Sequence, residues 1–172
     1  MMSDRTKKLL EAIGAKNLTE AGVKLLNPYD FDLPEIFEDA ELHIEGERVE
    51  EFIEAIKPIA WNEFDGKRVA EAIRKLHERG AIMELEVTKD TILVTPPFWT
   101  SQASNYKGDP NGRKLTEEER RGLFYLIKAT LADANPDELH FVTLDEKALD
   151  WKVSEDLPDG DLTHVRVRAW WD

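Results

Sequence analysis

A β-hairpin is predicted by residues 82–95, which read IMELEVTKDTILVT. In the first half of this stretch Met83, Leu85 and Val87 alternate with two glutamates. That period of two is typical of a strand with one buried face and one polar face. A Lys-Asp pair then provides the turn, and an apolar run returns as the second strand until two prolines end it.

A second two-faced strand is predicted near the C-terminus, at residues 162–170. Val165 and Val167 share one face of this strand, and Arg166 and Arg168 share the other. We therefore predict that the two valines are buried. The two arginines should face solvent or pair across the sheet with the two glutamates of the hairpin.

Helices are indicated by apolar residues at helical spacing before the hairpin and between the hairpin and the last strand. Asp65 is a good N-cap for a helix at 66–79, with Gly80 at its C-terminal end. Thr116 and Glu119 have the spacing of a capping box, which predicts the start of a long helix.

The order of these elements favours the α+β class, because helices and strands come in blocks rather than in strict alternation. We predict a single domain, 1–172, in which an antiparallel sheet of about four strands packs on helices. Residues 1–65 should form a mainly helical, acidic part, and residues 66–172 a helix–hairpin–loop–helix–strand–strand part. Residues 29–45 and 147–161 show no strand pattern, and we expect loops and turns there.

Composition excludes several classes of function. The 172 residues include no cysteine, which excludes disulfides, thiolate metal sites and a cysteine nucleophile. The formal net charge of −13 argues against direct binding to nucleic acid, because the protein would repel the phosphates. No signal peptide or apolar membrane span is recognisable, so we expect a soluble, cytoplasmic protein without a membrane partner.

Catalytic and metal-binding motifs are not recognisable in the sequence. None of the serines lies in a nucleophile elbow, and no glycine-rich phosphate loop is present. His43 with Glu45, and His140 with His164, are possible neighbours on strands, but each pair lacks a third ligand. We therefore predict no catalytic residue, no metal and no cofactor, and a binding protein rather than an enzyme.

The acidic charge is concentrated in residues 30–65, which contain 13 acidic and two basic residues. Aromatic side chains are interleaved with these carboxylates, a combination that suits docking of a basic protein. An inhibitor, an immunity-type protein or a nucleic-acid mimic would have this charge layout, with a nuclease or another nucleic-acid-binding protein as partner. The predicted contact residues are Tyr29, Asp30, Phe31, Asp32, Glu35, Phe37, Glu38 and Asp39. Within the same block, Glu47, Glu50, Glu51 and Glu54 are three or four residues apart, so one side of a helix should carry Glu47, Glu50 or Glu51, and Glu54.

A second candidate surface is the long stretch between the hairpin and the capped helix, residues 96–115. Loops of this length are commonly functional. This one is cationic and aromatic in an otherwise acidic protein. Its candidate binding residues are Trp99, Tyr106, Lys107, Arg113 and Lys114.

One alternative assigns the middle of the chain to a winged-helix DNA-binding unit. The 66–79 helix would then enter the groove of DNA, and the 82–95 hairpin would form the wing. The helix carries five candidate phosphate contacts: Lys67, Arg68, Arg74, Lys75 and Arg79. Two features oppose this alternative. The hairpin is acidic at Glu84 and Glu86, and the preceding helix is acidic as well.

Overall fold

The computed structural model describes residues 4–27, 42–99, 113–145 and 150–172. Within these ranges the helices are α1 (Asp4–Ala12), α2 (Leu18–Leu25), α3 (Val49–Ile56), α4 (Gly66–Glu78) and α5 (Glu117–Ala132). The strands are β1 (Leu42–Glu45), β2 (Ala60–Trp61), β3 (Phe64–Asp65), β4 (Glu84–Thr88), β5 (Thr91–Thr95), β6 (Glu138–Asp145), β7 (Asp150–Ser154) and β8 (Val165–Trp170). None of the helices described is long and apolar enough to cross a lipid bilayer.

The helix ends follow the signals in the sequence. The side chain of Asp65 accepts a hydrogen bond from the backbone N–H of Lys67 at the start of α4. Gly80 follows the end of α4 with a φ of +69°, a conformation that glycine adopts without strain. Thr116 and Glu119 form both hydrogen bonds of a capping box at the start of α5. The predicted boundaries of α4 and the predicted start of α5 are therefore confirmed.

The main sheet has six strands in the order β1-β4-β5-β8-β6-β7, and every neighbouring pair is antiparallel. The predicted hairpin is β4 and β5, joined at Asp90, whose φ of +63° suits a tight turn. A separate two-stranded ribbon is formed by β2 and β3. The α+β class and the antiparallel sheet are confirmed, but the prediction of about four strands was too low.

Two of the missed strands lie at the edges of the sheet, in stretches that we expected to be loops. β1 occupies positions 42–45 and pairs with β4, and β7 occupies positions 150–154 and pairs with β6. Both strands are short, and β7 exposes 61% of Val153. Strands this short give few alternating positions to recognise in the sequence, and each has a hydrogen-bonded partner strand on one side only.

The two faces of the sheet have different neighbours. On one face Val165 and Val167 are completely buried, and helices α2, α3 and α5 pack there to form the core, with α4 against α3 and α5. Trp171 is also fully buried, and its Nε1 donates to the backbone oxygen of Ala134 at 3.2 Å. We call the other side of the sheet the polar face. Its members, by strand register, include His43, Glu84, Glu86, Thr95, Glu138, His140, Arg166 and Arg168.

Candidate functional site

The predicted partner-binding residues of the acidic block, Tyr29 to Asp39, lie outside the described residues. What the structure does describe of the acidic block begins at β1 and continues through α3 to Asp65.

Helix α3 presents the described part of this acidic charge to solvent. Its inner side is apolar and buried, with Phe52 and Ile56 fully inaccessible. Its outer side, together with the 3-10 turn Gly46–Arg48 before it, carries four exposed carboxylates. We call these four residues the α3 acidic surface: Glu47, Glu50, Glu51 and Glu54. The predicted crowding of glutamates along one side of this helix is confirmed.

Few cations balance the α3 acidic surface. The Nζ of Lys57 lies 2.7 Å from Oε1 of Glu54, and the Nε2 of His77 lies 3.9 Å from Oε1 of Glu50. Within the described part of the chain, Glu47 and Glu51 have no salt bridge. An exposed band of four carboxylates, two of them without a salt bridge, attracts cationic molecules and repels anionic ones.

Of the second candidate surface, Trp99, Arg113 and Lys114 are described, whereas Tyr106 and Lys107 lie outside the described residues. Trp99 and Lys114 form an isolated antiparallel bridge, so the two ends of the 96–115 stretch lie side by side. The backbone N–H of Leu115 also donates to the oxygen of Phe98 at 2.7 Å.

Arg113 is engaged within the protein. Its guanidinium donates two hydrogen bonds to the carboxylate of Glu119, at 2.7 and 2.6 Å. These bonds, with the backbone N–H of Thr116, lower the pKa of Glu119 to about 2. Arg113 thus holds the start of α5 in place, and its charge is already matched by a carboxylate.

A cleft of about 550 Å³ opens beside this bridge, and its wall includes the buried side chain of Arg120. The guanidinium of Arg120 donates to the backbone oxygen of Leu162 at 3.0 Å and lies 3.9 Å from the ring centre of Phe98. Burial lowers the pKa of Arg120 to about 10. Sequence reasoning missed this buried arginine, although one signal was present. Arg120 precedes the apolar Phe124 by four residues and therefore lies on the same side of the helix, which is the buried side.

The winged-helix alternative meets a geometric obstacle at the hairpin. A wing has to project freely, but β4 pairs with β1 and β5 pairs with β8, so both strands lie inside the six-stranded sheet. On α4, Arg74 binds the carboxylates of Glu71 and Glu78 on its own helix. Lys67, Arg68 and Lys75 border a cleft of about 410 Å³ that also includes Glu71 and Asp133.

The polar face of the sheet carries a band of ionisable side chains. The Nε of Arg166 lies 3.0 Å from Oε1 of Glu86, across the intervening strand β5. This salt bridge is largely buried, with 21% of the arginine side chain and 6% of the glutamate side chain exposed. The predicted arrangement of the last strand is confirmed in full for Val165, Val167 and Arg166.

Arg168 has different partners on the same face. Its Nη1 lies 3.4 Å from Oε2 of Glu138 and 3.1 Å from Nε2 of His140. Burial, together with the positive charge of Arg168, holds the pKa of His140 below its usual value. His140 and His164 do not meet, because His140 lies opposite Arg168 whereas the backbone oxygen of His164 accepts from Leu144.

At the β1 end of this band, three possible metal ligands converge. His43 is the register partner of Glu86, and its Nδ1 contacts Oε1 of Glu84. One ligand atom from each of His43, Glu84 and Glu86 lies within 4.8 Å of the other two. From sequence we had paired His43 with Glu45 and predicted no metal ligand set. Glu45 is not one of these ligands. Both glutamates of the set come from β4, and Glu84 lies 41 residues after His43 in the chain.

No protein-family model, curated protein or solved structure matches this chain. Its function has to be inferred from the chemistry of its own residues. The described residues offer two surfaces with a clear chemical character, which are the α3 acidic surface and the polar face of the sheet.

Proposed function

We propose that this protein is a binding protein that docks a basic protein partner through its acidic block, including the α3 acidic surface. The observation that supports this proposal best is the row of four exposed carboxylates on one side of a single helical segment. The concentration of charge in residues 30–65, 13 acidic against two basic residues, supports it further.

Like charges at helical spacing destabilise the helix of the free protein. Carboxylates three or four residues apart repel each other by a few tenths of a kcal/mol per pair. A cationic partner relieves that repulsion when it binds. At physiological ionic strength the interaction reaches about 8 Å, so it acts mainly on encounter and raises the association rate.

The partner class follows from the charge. A protein that binds nucleic acid, such as a nuclease, presents a basic surface of the kind that an acidic helix can cover. We propose such a partner rather than nucleic acid itself, because phosphates would be repelled by the same carboxylates.

The test is a pair of charge-matched variants. Glu47→Lys/Glu51→Lys changes the α3 acidic surface by four charge units, and Asp156→Lys/Asp159→Lys makes the same change at exposed residues elsewhere. All four residues lack salt bridges within the described ranges, so neither variant breaks an ion pair. Each protein is immobilised, incubated with host lysate, and the retained basic proteins are quantified by mass spectrometry.

The proposal requires that one basic protein is retained by the wild type and by the Asp156/Asp159 variant. The same protein should be reduced at least tenfold with the Glu47/Glu51 variant. Circular dichroism verifies that both variants fold. If the two variants retained the basic protein equally, binding would depend on the total charge of the protein and not on the α3 acidic surface. That result would overturn the proposal.

A further inference from the structure

The cluster at the β1 end of the polar face combines one imidazole with two carboxylates. His43 comes from β1, and Glu84 and Glu86 come from the neighbouring strand β4. Residues two apart on a strand point to the same face, so the two glutamates project side by side, with His43 across from Glu86. Their ligand atoms all lie within 4.8 Å of one another, which is the span that a single metal ion bridges.

The cluster is partly removed from solvent, and negative charge held away from water raises the free energy of the folded protein unless a cation lies nearby. The side chain of Glu86 is only 6% exposed and that of Glu84 is 24% exposed. Two carboxylates held this close repel each other strongly in a partly buried site. Arg166 binds Oε1 of Glu86 and compensates one of the two negative charges. A metal ion would be attracted by the other negative charge, since a carboxylate can bind a guanidinium and a cation through different oxygens.

A second observation points to a ligand at the same place. Thr95 is the register partner of Glu84 on β5, so its side chain lies on the same face beside the cluster. Thr95 is 1% exposed, and its Oγ1 is buried without a hydrogen-bond partner among the described residues. Buried hydroxyls are nearly always hydrogen-bonded, and an unsatisfied one needs an explanation. A water molecule bound to a metal ion would supply the missing partner.

We propose that His43, Glu84 and Glu86 bind one divalent transition-metal ion, with Thr95 hydrogen-bonded to a water ligand of that ion. A nitrogen ligand with two carboxylates suits Zn²⁺, Mn²⁺ or Fe²⁺, and it disfavours Mg²⁺, which prefers oxygen ligands alone. The ion would fasten the edge strand β1 to β4 immediately before the α3 acidic surface. This inference does not rest on the proposed function, and its test does not involve a protein partner.

The experiment uses the full chain, freed of metal with a chelator and then titrated with Zn²⁺ by calorimetry. The test variants are His43→Ala and Glu84→Gln. The matched controls are His164→Ala and Glu11→Gln, which change the same residue types at exposed positions outside the cluster. Thermal unfolding with and without Zn²⁺ is measured on all five proteins, and Mg²⁺ serves as the control ion.

The wild type and both controls should bind one Zn²⁺ per chain, and a hundredfold excess of free ion over Kd should raise Tm by about 5–10 °C. Each test variant should bind at least tenfold more weakly and lose most of that shift. Because two different ligands are replaced separately, a folding failure of one variant leaves the other to decide. The absence of stoichiometric binding by the wild type would overturn the proposal, as would equal binding by test and control variants.

Discussion

Gly66 and Gly122 provide a pair of identical substitutions for which the structure predicts opposite effects. Gly66 is the first residue of α4 and is buried, and its N–H donates to the backbone oxygen of Ile59 at 2.7 Å. A Cβ placed on Gly66 would lie 2.6 Å from that oxygen and 2.9 Å from the backbone oxygen of Lys57, and it would overlap the backbone oxygen of Ile56. Gly122 lies inside α5 and is exposed, with nothing within 4 Å of an added Cβ.

The expected magnitudes follow from these contacts. Gly66→Ala forces the backbone carbonyls after α3 to move, which costs about 1–3 kcal/mol as overpacking. It also weakens the hydrogen bond to Ile59, worth about 1 kcal/mol. We therefore expect a loss of roughly 2–4 kcal/mol, a large share of a typical stability of about 5–15 kcal/mol. Gly122→Ala should instead stabilise by about 0.4–1 kcal/mol, because alanine is the better helix former.

Urea unfolding followed by circular dichroism measures both effects. With a slope of about 2 kcal/mol per M, the midpoint should fall by roughly 1–2 M for Gly66→Ala and rise by a few tenths of 1 M for Gly122→Ala. The slope should be the same in all three proteins. If Gly66→Ala unfolded within 0.5 kcal/mol of the wild type, the close approach between α4 and the chain after α3 would be wrong.

Three further predictions concern buried ionisable groups. Arg166→Met leaves Glu86 buried without its partner and should destabilise by about 3 kcal/mol, whereas Arg166→Met/Glu86→Leu should recover most of that loss in denaturant unfolding. His140 has a lowered pKa in the folded state, so the unfolded chain takes up its proton first as pH falls through about 6.5. The folded state should therefore lose stability relative to His140→Gln as pH falls below that value, as unfolding curves measured at several pH values would reveal. Burial raises the pKa of Asp90, so Asp90→Asn should stabilise the fold at pH 7, and the gain should disappear at low pH where both states of the wild type are protonated, as unfolding curves at the two pH values would show.

The parts of the fold that were predicted from sequence have signals of their own within a few residues. The capping box at Thr116 and the N-cap at Asp65 fix helix starts locally. The alternation from Val165 to Arg168 fixes both faces of β8. It predicted that Arg166 either faces solvent or pairs with a hairpin glutamate, and the structure shows the pairing with Glu86.

The parts that were missed depend on partners far along the chain. β1 has only four residues in an acidic stretch, and it becomes a strand because β4 offers a free edge. The ligand set of His43, Glu84 and Glu86 depends on the register between these two strands, which spacing within either strand does not determine. Burial of an arginine at Arg120 depends in the same way on carbonyl groups supplied by other segments, at Pro96 and Leu162.

The central claim, that the α3 acidic surface attracts a basic partner, is tested most directly by association rates. The partner captured in the retention experiment is purified, and its association rate constant is measured by stopped flow between 50 and 300 mM salt. We predict that Glu47→Lys/Glu51→Lys lowers this rate by about tenfold at the lowest salt concentration and flattens its salt dependence, whereas Asp156→Lys/Asp159→Lys changes it less than twofold. Equal rates and equal salt dependence for the two variants would contradict the claim.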